Sequence, residues 1–403
     1  MLKRIHVRDV RLGMYIQELC GSWMDHPFWK KSFELTDPKE LYSLQTCGLH
    51  EVWINTDKAL DVGADVAVVT TEESAQNIDQ ELQKAAQSES KPVARVSMQE
   101  EVNRARKLQE KSKAAITSMF LEARMGTAIN ASDAEPLVDE INQSISRNPE
   151  AFLNLVRLKN KDDYTYLHSV AVCALMIALS KQLGLSDADI KDAGMAGLLH
   201  DVGKMMIPEE VLNKPGKLTD EEFEIVKAHP LRGWEVLNIS KGANAVVLDV
   251  VLHHHERVDG TGYPEKISGE ALTLFARMGA VCDVYDALTS NRCYKNGWEP
   301  AEALRKMAEW KGHFDERIFH AFVKTIGIYP SGTLVKLKSG RLAVVIEQTE
   351  KSLLTPLVKA FFSTKSNEPI MPEIINLAKS TDGIASIEVA EKWGFDLRQF
   401  TGV

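Results

Sequence analysis

Gly197-Leu198-Leu199-His200-Asp201-Val202-Gly203-Lys204 sets a histidine and an aspartate side by side in an otherwise apolar run. On a helix the two side chains lie about 100° apart around the axis, a spacing that suits one metal ion or a carboxylate bridging two. An unpaired carboxylate next to Met195-Ala196-Gly197-Leu198-Leu199 costs several kcal/mol, the scale of an isolated buried charge. A metal cation supplies the missing partner.

Around this stretch the chain has the make-up of an ordinary globular protein, 44% hydrophobic and 26% charged. Its 403 residues exceed what one core normally serves, so two or three domains are expected. A net charge of −9 disfavours a large nucleic-acid or anionic-membrane surface, and any phosphate binding must be local. Cys20, Cys47, Cys173, Cys282 and Cys293 are odd in number and lack CxxC spacing, which argues against a disulfide framework or zinc ribbon. Met1 to Ile16 lack the apolar core of a signal peptide, and no run of about 18 apolar residues follows. A cytoplasmic location and no membrane partner are expected.

The fold class expected is mainly α: an all-helical body flanked by a small α/β N-terminal unit and a short β extension. Alternation in Ile5-His6-Val7-Arg8-Asp9-Val10 and in Glu51-Val52-Trp53-Ile54-Asn55 predicts strands of an opening unit over residues 1–70. Thr36-Asp37-Pro38 reads as a helix cap and Cys47-Gly48 as its stop. His6, His26 and His50 read as ordinary surface or core histidines. Residues 71–92, rich in Glu, Gln, Ser, Ala and Lys, read as a solvated linker, helical in part.

Ser97-Met98-Gln99-Glu100 then reads as a capping box opening a long amphipathic helix through Met98, Val102, Ala105, Leu108, Ser112, Ile116 and Met119. That stripe suits equally a homodimeric coiled-coil seam or a stalk packed on its own chain. The accessory region spans 1–128. A second box at Ser132-Asp133-Ala134-Glu135 and a third at Thr219-Asp220-Glu221-Glu222 mark a helical region taken as 129–332. From 333 to 403 the chain reads as β, with a hairpin turning at Ser339-Gly340.

Five places in the helical region offer ligands: His168, His200-Asp201, His229, His253-His254-His255 and Asp283. Singly, each has a plain structural explanation. His168 shares a helical stripe with Val172, Leu175 and Leu179, His229 precedes Pro230, and Asp283 could cap or pair near Asp286. Three successive imidazoles span about 200° of a helix, so at most two face one site. The clustering in one domain moves the reading from structure to metal. Nitrogen and carboxylate donors without cysteine point to a first-row metal, and more than four donors exceed one tetrahedral zinc. Two metals sharing Asp201 is the economical arrangement and suits phosphoester hydrolysis.

His168-Ser169, His200-Asp201-Val202-Gly203-Lys204, His229-Pro230 with Gly233, His254-His255-Glu256, Asp259-Gly260-Thr261-Gly262-Tyr263-Pro264 and Asp283-Val284-Tyr285-Asp286-Ala287-Leu288 together resemble the HD-GYP family of cyclic di-GMP phosphodiesterases over residues 136–332. The resemblance implies an HD fold and hydrolysis of cyclic di-GMP to the linear dinucleotide pGpG or on to GMP. It implies two divalent ions, iron or manganese before nickel, cobalt or zinc. His168, His200, Asp201 and Asp283 would hold one; Asp201 again, with His229, His254 and His255, would hold the other, and His253 would face away. A hydroxide between the ions would attack phosphorus, making Asp201 and Lys204 the catalytic candidates.

Lys204, Tyr285, Arg292 and Lys295 are the substrate-binding candidates; the last two resemble the family's Arg-Pro-Tyr-Lys contacts, with Cys293 in place of the proline. Members with a third metal carry glutamate where this chain has Tyr164, and a phenol with a reference pKa of about 10 is a poor ligand near neutrality. Two ions and a product stopping at pGpG are therefore expected. Gly262, Tyr263 and Pro264 form a loop that the resemblance connects with a signalling-protein partner. The competing readings are a cyclic di-GMP receptor without turnover and an HD-type hydrolase of another nucleotide.

Overall fold

A computed structural model describes residues 1–403 except 22–27, 29–31, 64–65, 87–97, 127–128, 158–163, 215, 217, 291–296, 350–351, 389, 396 and 398–403. His26, Ser97, Arg292, Cys293 and Lys295 thus lie outside the described residues.

The N-terminal unit is an antiparallel sheet of β1 (Leu2–His6), β2 (Tyr15–Leu19), β3 (Phe33–Glu34), β4 (Glu51–Asn55) and β5 (Val69–Thr70), in the order β3-β2-β4-β1-β5. Helix α1 (Pro38–Thr46) starts where the Asp37 side chain accepts the Lys39 amide at 2.8 Å. Ile5, Ile16, Leu35, Leu44, Val52 and Ile54 close the core behind the sheet. The first strand stops at His6. Val7–Asp9 form a 3-10 turn that keeps Val7 and Val10 buried without continuing the pleat.

The connecting region packs more closely on the rest of the chain than its composition predicts. Residues 71–86 form helix α2 (Thr71–Ala86), in keeping with a region helical in part, but it is not simply solvated: its narrow stripe Ile78, Leu82 and Ala85 is buried. That stripe, at helical steps of four and three, was masked by its polar surroundings. Helix α3 (Met98–Arg124) buries Val102, Ala105, Leu108, Ser112, Ile116 and Met119 against its own chain, so its seam is not left for a coiled-coil partner. It shares one core with the helical body, although the sequence placed it in the accessory region.

That body contains α4 (Glu135–Arg147), α5 (Pro149–Arg157), α6 (Tyr164–Leu183), α7 (Asp187–Leu199), α8 (Glu209–Leu212), α9 (Asp220–Lys227), α10 (His229–Asn238), α11 (Ala245–His253), α12 (Leu274–Thr289), α13 (Pro300–Glu309) and α14 (Glu316–Ile326). The box at Thr219 forms, with Thr219 and Glu222 capping each other's backbone. The one at Ser132 does not: a 3-10 turn over Ala131–Ala134 intervenes, and α4 begins without a side-chain cap. Helix α6 is long and apolar enough to cross a membrane by composition, and most of it is buried among its neighbours.

The C-terminal sheet has β6 (Leu334–Leu337), β7 (Arg341–Thr349), β8 (Ser352–Ser363), β9 (Glu368–Asn376) and β10 (Ile384–Ile387), in the order β10-β6-β7-β8-β9. The β6–β7 connection turns at Ser339-Gly340 as expected. One face packs Val335, Leu337, Val345 and Val358; the other packs Leu334, Val344 and Phe362 under α15 (Ala390–Trp393).

Candidate metal centre

The ligand candidates converge from five helices and the turns at their ends. His168 stands in the first turns of α6, Asp283 in mid α12 and His229 at the start of α10. The His200-Asp201 pair is not inside a helix. α7 ends at Leu199, His200 caps it, and Asp201 opens a 3-10 turn over Val202–Met206 that carries Lys204. Gly203 makes this turn possible: a Cβ there would run into the His229 carbonyl and the Gly233 backbone. The close approach brings Asp201 beside His229.

Asp201 lies at the centre, with its two oxygens facing different groups. Oδ2 is 3.4 Å from His168 Nε2 and 3.3 Å from His200 Nε2. Oδ1 is 3.3 Å from His229 Nε2 and 3.9 Å from His254 Nε2. Asp283 closes the first group at 2.9 Å from His168 Nε2 and 3.8 Å from His200 Nε2. Its other oxygen lies 3.7 Å from His255 Nδ1. Donor atoms of His168, His200 and Asp283 fall within 4.8 Å of one another, as do those of His229, His254 and His255 and those of His200, Asp201 and His254.

The imidazoles are oriented from behind. His200 Nδ1 donates to the Gly197 carbonyl at 2.8 Å, His229 Nδ1 to Val226 at 2.7 Å and His254 Nδ1 to Val251 at 3.0 Å. A carbonyl only accepts, so each Nδ1 holds a proton and each Nε2 is turned to the site. For His168 the partner is a carboxylate, Asp286 Oδ2, at 2.6 Å. Asp286 was passed over as a site residue in the sequence, where its spacing of three from Asp283, about 60° around the helix, was the available signal. The nucleus contains orphans: His200 Nε2, Asp201 Oδ1 and His255 Nε2 are buried and make no hydrogen bond.

Burial works against charge on His200, but Asp201 and Asp283 beside it prevail and carry its pKa up to about 10. Burial and then the neighbouring His200 and His229 push His254 down to about 3, and burial with His254 holds His255 well below the usual range. Burial opposes ionisation of Asp201 and Asp283, yet His200 and Lys204 beside the first and the imidazoles of His168 and His200 beside the second keep both well below ordinary carboxylates. The charge on His200 is a placeholder that a metal ion would replace.

The remaining candidates divide. Lys204 Nζ rests on Asp201 Oδ2 at 2.6 Å with its side chain partly exposed, so it is at the site and paired there. His253 points away, to Asp249 at 2.8 Å and Glu265 at 3.2 Å. Tyr285 is about 200° around α12 from Asp283 and buried, with its ring 5.0 Å from Phe322. The loop after α11 leans back over the site, since the Tyr263 ring stacks on His255 at 4.8 Å. Gly262 passes so close to the His255 carbonyl and the Glu256 backbone that a Cβ has no room. The side chain of Tyr164, the first residue of α6, is outside the described atoms.

Comparison with known proteins adds identity to this geometry. Residues 140–318 match the HD domain, and residues 2–134 match a domain of unknown function. A cyclic di-GMP phosphodiesterase of Pseudomonas aeruginosa is 54% identical over 398 residues, covering 98% of this chain and 94% of that protein. The cyclic di-GMP phosphodiesterase response regulator RpfG of Xanthomonas campestris is 40% identical over 193 residues, covering 47% of this chain and 50% of that protein. A 3′3′-cGAMP-specific phosphodiesterase of Vibrio cholerae is 36% identical over 166 residues, covering 41% of this chain and 38% of that protein. The first alignment runs through the accessory unit, the helical body and the C-terminal sheet alike, and on that likeness this chain belongs to the HD-GYP family of cyclic di-GMP phosphodiesterases.

Proposed function

We propose that the chain hydrolyses a 3′–5′ phosphodiester bond of cyclic di-GMP and releases the linear dinucleotide pGpG. The observation that carries this reading is the division of Asp201, one oxygen toward His168 and His200 and the other toward His229 and His254. The buried orphans His200 Nε2, Asp201 Oδ1 and His255 Nε2 fit a pair of cations, and a set of imidazoles and carboxylates without thiolate fits first-row divalent ions, iron or manganese first. His168, His200, Asp201 and Asp283 would hold one ion; Asp201, His229, His254 and His255 would hold the other. When bound, the pair would supply Lewis-acid neutralisation of the phosphate charge.

The chain's own groups do the rest. Carbonyls of Gly197, Val226 and Val251 and the Asp286 carboxylate fix the imidazole rings, so no reorientation is needed as charge develops. Lys204 turns its ammonium from Asp201 to a phosphate oxygen once the carboxylate has other cationic partners. Tyr263 on His255 walls the site toward the loop. Arg292 and Lys295, outside the described residues, are further phosphate and guanine contacts. Tyr164 in place of a third acidic ligand stops the reaction at pGpG, and the Gly262-Tyr263-Pro264 loop is offered to a signalling protein.

The test is product chromatography of metal-reconstituted protein with cyclic di-GMP and 3′3′-cGAMP in parallel. Stoichiometric pGpG from cyclic di-GMP is expected, with slower loss of the hybrid dinucleotide. Tight cyclic di-GMP binding with no product from metal-replete protein would turn the reading to a receptor, and GMP as the end product would overturn the stop at pGpG.

A further inference from the structure

The N-terminal unit reaches the active-site lip at one point. His50, between α1 and β4, donates from Nε2 to Asp259 Oδ2 at 2.7 Å; the carboxylate can only accept, so the imidazole supplies the proton. Two residues earlier, the Gly48 carbonyl accepts from Arg257 Nη1 at 3.2 Å. These contacts bridge about half the chain in sequence, and both land on the segment joining His255 to Tyr263.

That segment has no helix or strand to hold it. Main-chain bonds to Gly312 and His313 hold part of it, and Asp259 is its side-chain hub. Oδ1 accepts the Thr261 amide at 2.9 Å and the Thr261 hydroxyl at 2.6 Å, while Oδ2 faces Arg257 at 3.4 Å besides His50. The Asp259 amide donates to the Gly312 carbonyl at 3.0 Å, tying the hub to the stretch before α14. From Thr261 the chain runs through Gly262, which has no space for a Cβ, to Tyr263, whose amide donates to the His255 carbonyl at 3.2 Å and whose ring lies on that imidazole. One carboxylate thus shapes the loop with one oxygen and grips the N-terminal unit with the other.

A second contact area keeps the unit seated. Lys306 of α13 meets Glu18 of β2 at 2.9 Å, and Arg305 meets Asp79 of α2 at 2.7 Å. They flank a cleft of about 230 Å³ lined by Trp53, Ser74 and Ile78 as well. The unit is therefore anchored to the catalytic body behind the sheet and touches the lip with a separate polar finger.

We propose that the N-terminal unit acts as a clamp on the catalytic loop, with His50 as a positioning residue: through Asp259 it holds Thr261 to Tyr263 against His255, and displacing the unit loosens the lip. This rests on the proposed hydrolysis for its effect on rate, but the loop order it asserts is independent of any substrate. Nothing in it requires the unit to bind a ligand of its own.

The experiment compares full-length protein, His50→Ala and His50→Gln; the glutamine amide can donate from nearly the place of Nε2. Amide hydrogen exchange is read at Thr261 and Tyr263 in metal-free protein, and kcat/KM per metal-loaded site with cyclic di-GMP. In His50→Ala, exchange at both amides speeds up and kcat/KM falls about three- to tenfold, the scale of one ordinary hydrogen bond lost. Metal content and unfolding midpoint stay unchanged, and His50→Gln recovers most of both effects. Unchanged exchange in His50→Ala overturns the clamp whatever the activity. Faster exchange with unchanged kcat/KM overturns the positioning role, and absence of turnover in all three proteins with the exchange pattern intact counts against the hydrolysis alone. A glutamine variant as loose as the alanine one shows that the contact is not the donated bond argued here.

Discussion

The N-terminal unit and the helical body bury their interiors in opposite ways. Behind the first sheet Ile5, Ile16, Leu44, Val52 and Ile54 form an apolar core, with Arg4 the buried charge of that sheet. At the centre of the helical body four histidines and three aspartates are withdrawn from water: His168, His200, His229, His254, Asp201, Asp283 and Asp286. Three donor atoms in that region are left without a hydrogen bond. Apolar residues in such positions generally stabilise a fold as well or better than buried charges. A chain that builds one core cleanly and fills another with ionisable groups has a use for the second, and the use argued here is to hold cations.

The comparison is broken most severely at the shared carboxylate. Asp201→Ala is expected to lower turnover on the order of a thousandfold by removing a ligand common to both groups. Near-normal kcat with two ions still bound would refute the division of Asp201. Lys204→Ala should lower kcat/KM by about tenfold to a hundredfold while metal content stays whole, because its ammonium serves the phosphate and not the ions. If the metal is lost instead, its part in handling phosphate is wrong. Asp286→Ala, which unfastens the His168 ring, should weaken metal affinity by about ten- to a hundredfold, read by competition with a chelator.

Protons give a finer test. His200, carried to about 10, holds a proton at Nε2 at neutral pH that an incoming ion must displace, whereas His254, pushed to about 3, is already neutral. Metal affinity should therefore rise with pH through the range below about 10, with net proton release on binding at pH 7 in calorimetry across buffers of different ionisation enthalpy. No release would mean that His200 is not a ligand. The smallest effect on chemistry belongs to the other core: Ile54→Ala should cost about 2–4 kcal/mol of stability in denaturant unfolding, with kcat per folded molecule unchanged.

The site was more legible than the scaffold around it. Ligand candidates are named by side-chain chemistry, so His168, His200-Asp201, His229, His253-His254-His255 and Asp283 could be read as a set before any fold was known, and the family resemblance chose His254 and His255 from the triplet. What stayed hidden was whatever depends on the direction of a side chain or on the backbone. Tyr285 and Asp286 are neighbours in a motif, yet the helix turns one into the core against Phe322 and the other onto His168. The carbonyls of Gly197, Val226 and Val251 carry no residue signature at all.

Periodicity gave the apolar face of α3 but not what covers it, since a helix stripe packs equally well on its own chain or a second one. Helix α2 was hidden by composition, because Ile78, Leu82 and Ala85 are few among Glu and Gln. The contact of His50 with Asp259 could not be read from either neighbourhood, because it joins two units that fold around separate cores.

Elemental analysis of anaerobically purified and reconstituted protein beside Asp201→Ala asks whether the buried imidazoles and carboxylates hold two cations sharing Asp201. Two first-row ions per chain are predicted for the native protein, and one or none for the variant. A native protein that retains no stoichiometric metal, or a variant that keeps both ions, would contradict the account.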